Sequence, residues 1–402
     1  MGVTNTFLNL FKSAKAEGEE KGDKEEIRLR NQSAHYENFL MALREGDLDA
    51  RWSAVRSVGD LGEPFIGPLI QGLGDEYWII RRGSADTLGK IGAPAVGPLI
   101  EAFQEPGDDI RQEIVRALQL IGEPAAGSLI QALKHNSASI RKGAVQALGI
   151  MGEASAVPRL IESLRDPDAG VRQESAVALG RIANPLAIAP LIETLNDAKE
   201  SVRMSAMATL CSFGEPSIAP LIRTLGDQNE EIFRRAVLAL VTIGEPSLDI
   251  LIKALGDQNP KIRRGSVEAL GQIGNTRAIP PLMKSLDDSD RSVRVQVVKA
   301  LAALGVPAIA PLMQAFREGD AMMRTSAMEA LWMLGQPATT PLIMVLKDDQ
   351  SDVRKRAALL LGEIGDQKAI DHLTGLLADE NVAVRREAFE ALEMIKKRAS
   401  MQ

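Results

Sequence analysis

The sequence predicts an all-α fold, an α-solenoid (superhelix) of about 11–12 helix hairpins, each 30–31 residues long. Three observations carry that expectation. Small residues close helix-like runs at a fixed spacing: Gly62, Gly92, Gly122, Gly152, Ala183, Gly214, Gly244, Gly274, Gly305, Gly335 and Gly365 follow one another at 30 or 31 residues. An arginine ladder keeps the same period, from Arg51, Arg81 and Arg111 to Arg354 and Arg385, with Phe233 as its one gap. A leucine stands seven residues after the ladder position in nearly every unit, from Leu88 to Leu392, with Val58 in its place in the first.

Taken from the N-terminus, residues 1–33 read as an apolar segment followed by a charged tether. Phe7, Leu8, Leu10 and Phe11 suit a cap on the first repeat, and residues 12–30 are dominated by Lys, Glu, Gly and Ala, with Gly18 and Gly22 interrupting any helix. Residues 34–402 read as a single solenoid including its terminal caps. Ser139–Leu164 shows the plan of one unit. Ile140, Ala144, Leu148 and Met151 recur at helical spacing and end at Gly152, which can take a left-handed cap. Val157, Leu160, Ile161 and Leu164 then define a shorter second helix, broken by Asp166 and Pro167. Such a hairpin buries its apolar seam only against the next one.

The second helices often carry Pro-Leu-Ile, as at Pro68-Leu69-Ile70 and Pro220-Leu221-Ile222, with proline placed in the first turn, where a missing N–H costs no helical partner. Most links between the two helices read Gly-x-Pro. Four, at Gly152, Ala183, Gly274 and Gly365, have one extra residue. At the far end, Lys396, Lys397 and Arg398 suit the negative end of the last helix.

Bulk composition excludes several classes. A formal charge of −7 argues against a general nucleic-acid coat, and a single Cys211 rules out an internal disulfide or a multi-cysteine metal site. That cysteine usage, with no signal-peptide layout and no long apolar run, reads as a cytoplasmic protein. An acid precedes nearly every ladder position by six residues, with His135 as the exception. Because this pair recurs everywhere, its expected role is structural: aspartate caps the turn and arginine bridges successive repeats.

The pattern Asp-x-x-x-x-(Val/Ile)-Arg-x-x-Ala-x-x-Ala-Leu-Gly-x-Ile-Gly, clearest at Asp166–Ala183 and Asp257–Gly274, resembles the short HEAT-like repeat of the phycobilisome-lyase type over about residues 35–397. The resemblance implies first helices on the convex face and second helices on the concave face. It also implies a range of activities: attaching bilins to antenna proteins, hydroxylating a modified lysine at a di-iron centre, excising damaged DNA bases, or binding other proteins. The hydroxylase branch carries His-Glu pairs, whereas His35, His135 and His372 here are followed by Tyr36, Asn136 and Leu373. The base-excising branch uses a continuous basic stripe, which is missing.

The sequence therefore points to a non-catalytic protein-binding scaffold without cofactor or metal, probed best where periodicity breaks; a bilin-lyase-like or chaperone-like protein acting on a tetrapyrrole-carrying or other client protein is the alternative. One second-helix position is expected to face the groove: Gln71, Glu101, Gln131, Glu162, Glu193, Arg223, Lys253, Lys284, Gln314, Met344 and Gly375. It is acidic through Glu193 and basic from Arg223 to Lys284. Tyr77 and Trp78 place two aromatics on a turn that is polar elsewhere, a candidate hot spot that Trp52 extends. Trp332 and Cys211 stand where several repeats have glycine, and Met322 and Met323 are expected to fill core.

Overall fold

The computed structural model describes residues 22–58, 62–104 and 107–400, with side chains from residue 34 onward. Among these residues the chain forms an opening helix, eleven two-helix hairpins and a closing helix, and no strand. The expected α-solenoid is the observed fold. Phe7, Leu8, Leu10 and Phe11 lie outside the described residues. The opening helix spans Gly22–Glu45, so Gly22 begins a helix instead of interrupting one, and the helix runs past residue 33.

The chain divides into two compact units between Ala187 and Ile188. In the first, the opening helix packs Tyr36 and Phe39 on Phe65 of the first hairpin, with ring centroids 5.7 and 5.4 Å apart. First helices such as Trp78–Ile91, Asp108–Ile121 and Ala138–Met151 line up their period-seven leucines, and Leu88, Leu118 and Leu148 are fully buried with Leu99, Leu129 and Leu160 of the second helices. The second unit repeats the arrangement: Leu210, Leu240, Leu270, Leu301, Leu331 and Leu361 are sealed against Leu221, Leu251, Leu282, Leu312, Leu342 and Leu373. Each hairpin buries on its neighbour the stripe it cannot bury alone. The closing helix, Val382–Ala399, turns Val384, Ala388, Leu392 and Ile395 inward.

Proline mostly sits where expected, in the first turn. Pro220 does not. There the 3-10 turn seen in other hairpins has merged into one continuous helix, Glu215–Thr224, which places Pro220 in its interior.

The links are of two backbone kinds. Gly152, Ala183, Gly274 and Gly365 cap their helices in the left-handed region, with ψ of 28°, 35°, 13° and 17°. The next residue then turns the chain with its side chain: Glu153, Asn184, Asn275 and Asp366 each accept the backbone N–H two residues on. The shorter Gly-x-Pro links leave the helix differently. Gly244, for example, has φ 72° and ψ −133°, close to a region open only to glycine. This explains why the one non-glycine link residue, Ala183, occurs in a longer link. Gly244→Ala is expected to cost about 2 kcal/mol, whereas Ala183→Gly should fall within about 1 kcal/mol of neutral, on the stabilising side. Urea midpoints of the two variants check this; equal losses would refute the distinction.

In three of the longer-link hairpins, two further features coincide. A glycine eight residues after the ladder arginine lets the next first helix approach closely: a methyl group at Gly149, Gly271 or Gly362 would come within 2.6–2.8 Å of Ala178, Ala300 or Ala391 Cβ. The same hairpins supply both nitrogens of a forked Arg–Asp bridge to the next repeat: Arg141–Asp166, Arg263–Asp288 and Arg354–Asp379, at 2.7–2.9 Å. Where Cys211 or Trp332 fills the glycine position, no such fork forms among the described residues. Trp332 is half exposed, pushed outward from a place where other helices nearly touch.

Candidate functional site

The arginine ladder belongs to the scaffold. Asp75, Asp166, Asp197, Asp227, Asp257, Asp288, Asp348 and Asp379 each accept the N–H two residues ahead through Oδ1, closing the turn between hairpins. Six residues on, the arginine donates back to the carbonyls of that turn: Arg81 to Asp75 and Glu76, Arg203 to Asp197 and Ala198, Arg294 to Asp288 and Ser289. The exceptions show the division of labour. His135 still closes its turn, its Nδ1 accepting the Ser137 N–H, but it offers Arg111 no carboxylate. Arg111 turns to the Ser139 carbonyl and hydroxyl, and its Nε is left buried without a partner. Asp348 receives Arg317 in place of Arg324.

These bridges shift the acids. Arg354, hydrogen-bonded to Asp379, holds that carboxyl below the ordinary range against the opposing effect of burial, with help from the Asn381 N–H. Burial alone would raise Asp288, but hydrogen bonds from Arg263 and the Asp290 N–H outweigh it and the net shift is downward. A depressed folded-state pKa adds stability that is complete above the unfolded value, about 3.9, and is lost as pH falls through the folded value. Asp288→Asn with Asp379→Asn should therefore flatten the fall in urea midpoint below about pH 4. An acid profile identical to wild type would sink this assignment.

The second-helix positions singled out by charge are all exposed: Gln71, Glu101, Gln131 and Glu162 in the first unit, and Glu193, Arg223, Lys253, Lys284, Gln314, Met344 and Gly375 in the second. In the first unit, Glu162 is already paired with Arg159 one turn away. In the second unit, Arg223, Lys253 and Lys284 make no described ion pair or side-chain hydrogen bond, in contrast to the ladder arginines other than Arg324.

The aromatic candidates separate. Trp78 and Tyr77 are exposed at 68% and 41%, with the Arg51 guanidinium 5.7 Å from the Tyr77 ring centroid. Trp52 is half-buried: its ring lies against Gly83 and under Arg56, in the packing of two first helices. Of the two methionines expected to fill core, Met322 is exposed and Met323 is half-buried. Cys211 is half-buried, and burial pushes its thiol pKa up.

A cleft of about 500 Å³ escaped the sequence reading. It opens beside Lys284 and is lined by Ile279, Met283, Pro311, Ala315 and Met323. It lies where helix Ile279–Lys284 gives way to the 3-10 turn Ser285–Asp287 while its neighbour, Ile309–Glu318, runs on as α-helix. The closest signal in the sequence was Met323 itself.

The HEAT repeats profile matches residues 36–119, 126–211, 188–257, 248–332 and 339–402. No curated protein matches the chain. Among solved structures, an engineered protein is 20% identical over 90% of this chain and 99% of its own, with a TM-score of 0.27. Human deoxyhypusine hydroxylase is 22% identical over 60% of this chain and 96% of its own, TM-score 0.27. Yeast importin-beta is 12% identical over 98% and 67%, TM-score 0.32. At these values the three carry no argument about what this chain binds. Among the described residues no group of three His, Cys, Asp or Glu side chains is placed to hold a metal ion, and no single helix is long and apolar enough to cross a membrane.

Proposed function

The chain belongs to the family of HEAT-repeat proteins, and from that membership we propose that it is a non-catalytic scaffold that docks a protein partner, or a segment of one, on the face formed by its second helices. One contrast carries the reading. Among the described residues every ladder arginine but Arg324 donates to turn carbonyls, to aspartates or, at Arg111, to Ser139, while Arg223, Lys253 and Lys284 on successive second helices stand exposed and unpaired. Cations that do nothing for the fold are available to a partner, and charge at an interface sets encounter rate and selectivity. Glu193 holds the preceding position of the row in the second unit, Glu101 and Glu162 hold the equivalent positions in the first, and Tyr77 with Trp78 offers a separate aromatic contact there. The single, half-buried Cys211 supports a reducing, cytoplasmic setting.

The test is photo-crosslinking in native lysate from a reactive residue placed beside Lys253. Wild type should give a discrete adduct, and Arg223→Glu with Lys253→Glu and Lys284→Glu should lose it while keeping its circular dichroism. An adduct that survives triple reversal defeats the proposal. The finer resemblance to the phycobilisome-lyase type, at Asp166–Ala183 and Asp257–Gly274, would make that partner a tetrapyrrole carrier; visible absorbance in the adduct would favour it.

A further inference from the structure

Resting on that scaffold reading, we propose that the second unit binds an extended acidic segment ending in an apolar side chain, with Arg223, Lys253 and Lys284 receiving its carboxylates and the cleft beyond Lys284 receiving its apolar residue. Two observations meet here. The three cations occupy the same position on three successive second helices, Glu215–Thr224, Leu248–Ala254 and Ile279–Lys284. All are exposed, and none has an internal carboxylate. The row then changes character: Gln314 and Met344 follow, and the Met283–Pro311–Met323 cleft opens directly beside Lys284. Charge runs out where the apolar opening begins.

The spacing selects the conformation of the guest. Packed helices lie about 8–10 Å apart, and a chain in the extended polyproline II form advances about 3.1 Å per residue with three residues per turn, so every third side chain shares a face. Acids three residues apart would therefore meet successive cations, and a side chain three residues past the last acid would reach the cleft. Gln314 and Glu318, which hydrogen-bond to each other at the cleft rim, leave its floor apolar. A helical guest would need acids about seven residues apart to cover the same step.

The experiment uses the full chain and fluorescein-labelled synthetic peptides read by anisotropy. One peptide carries Glu at every third position with Leu three residues past the last Glu; its controls replace each Glu by Gln, or Leu by Gly. The assignment expects salt-sensitive binding of the first peptide, weakened about tenfold by triple charge reversal, as three exposed ion pairs would give. It also expects weaker binding of both controls. Met283→Asp should erase the preference for Leu over Gly and keep the Glu-over-Gln preference. Equal affinity for the Glu and Gln peptides, or indifference to charge reversal, would overturn it. Tighter binding of an oligothymidylate of equal charge, lost on the same reversal, would assign the row to phosphates instead. A crosslinked partner that depends on the three cations but is not displaced by the peptide would overturn this assignment and leave the scaffold reading standing.

Discussion

Leu148→Ala is expected to lower stability by about 3 kcal/mol, within the range of roughly 2–5 kcal/mol for emptying a sealed leucine site. Leu148 is fully buried between the two helices of its hairpin and the flanking first helices, where Val145, Ala147 and Leu160 are also sealed from water. The loss combines transfer of the removed atoms with a cavity that rigid helix packing cannot fill. Leu377→Ala, at a position 40% exposed, is the control and should stay within about 0.5 kcal/mol. Urea unfolding of both variants decides the matter; similar midpoints would mean that the period-seven leucine is not what holds a hairpin to its neighbour.

Arg354→Met should cost about 3 kcal/mol. Arg354 is buried, at 7% exposure. It forks onto Asp379, reaches Glu380, and caps the Asp348 and Asp349 carbonyls. Its removal strands two acceptors and leaves the little-exposed Asp379 carboxylate without its main counter-charge. Arg354→Lys keeps the charge but loses the planar fork, so an intermediate loss is expected. Asp379→Asn should cost less, because an amide oxygen can still close the turn on the Asn381 N–H. Chemical denaturation of the three variants checks the order, and Arg354→Lys matching wild type would refute the role given to the fork.

The architecture was legible because period is a sequence property. Gly62 to Gly365, the leucines and the ladder all recur at one spacing, and a stack of hairpins is what that spacing permits. The aspartate turns were legible for the same reason. Backbone choice at the links was less so: Gly152 and Gly244 are both glycine, and only the single inserted residue hints that one turns left-handed and the other does not. Pro220 was misplaced because fusion of a 3-10 turn with the following helix depends on packing, not on the local Pro-Leu-Ile. Met322 defies its expected place in the core because methionine hydrophobicity carries no direction and helix phase puts it outward. The cleft beside Lys284 depends on two neighbouring helices ending at different heights, a relation between segments that no single repeat contains.

The longer links have a consequence for how such a chain can be rearranged. Left-handed cap, side-chain turn, glycine contact and forked bridge occur together at the hairpins of Gly152, Gly274 and Gly365, so they behave there as one cassette. Transplanting Gly274-Asn275 alone into the hairpin of Gly244 would lengthen the chain beside Val241, which stands where Gly271 admits Ala300. Duplication or shuffling of whole hairpins preserves the match, and point insertion does not. The array is thus written in two interchangeable words, and a designer extending it would have to choose between them at every junction.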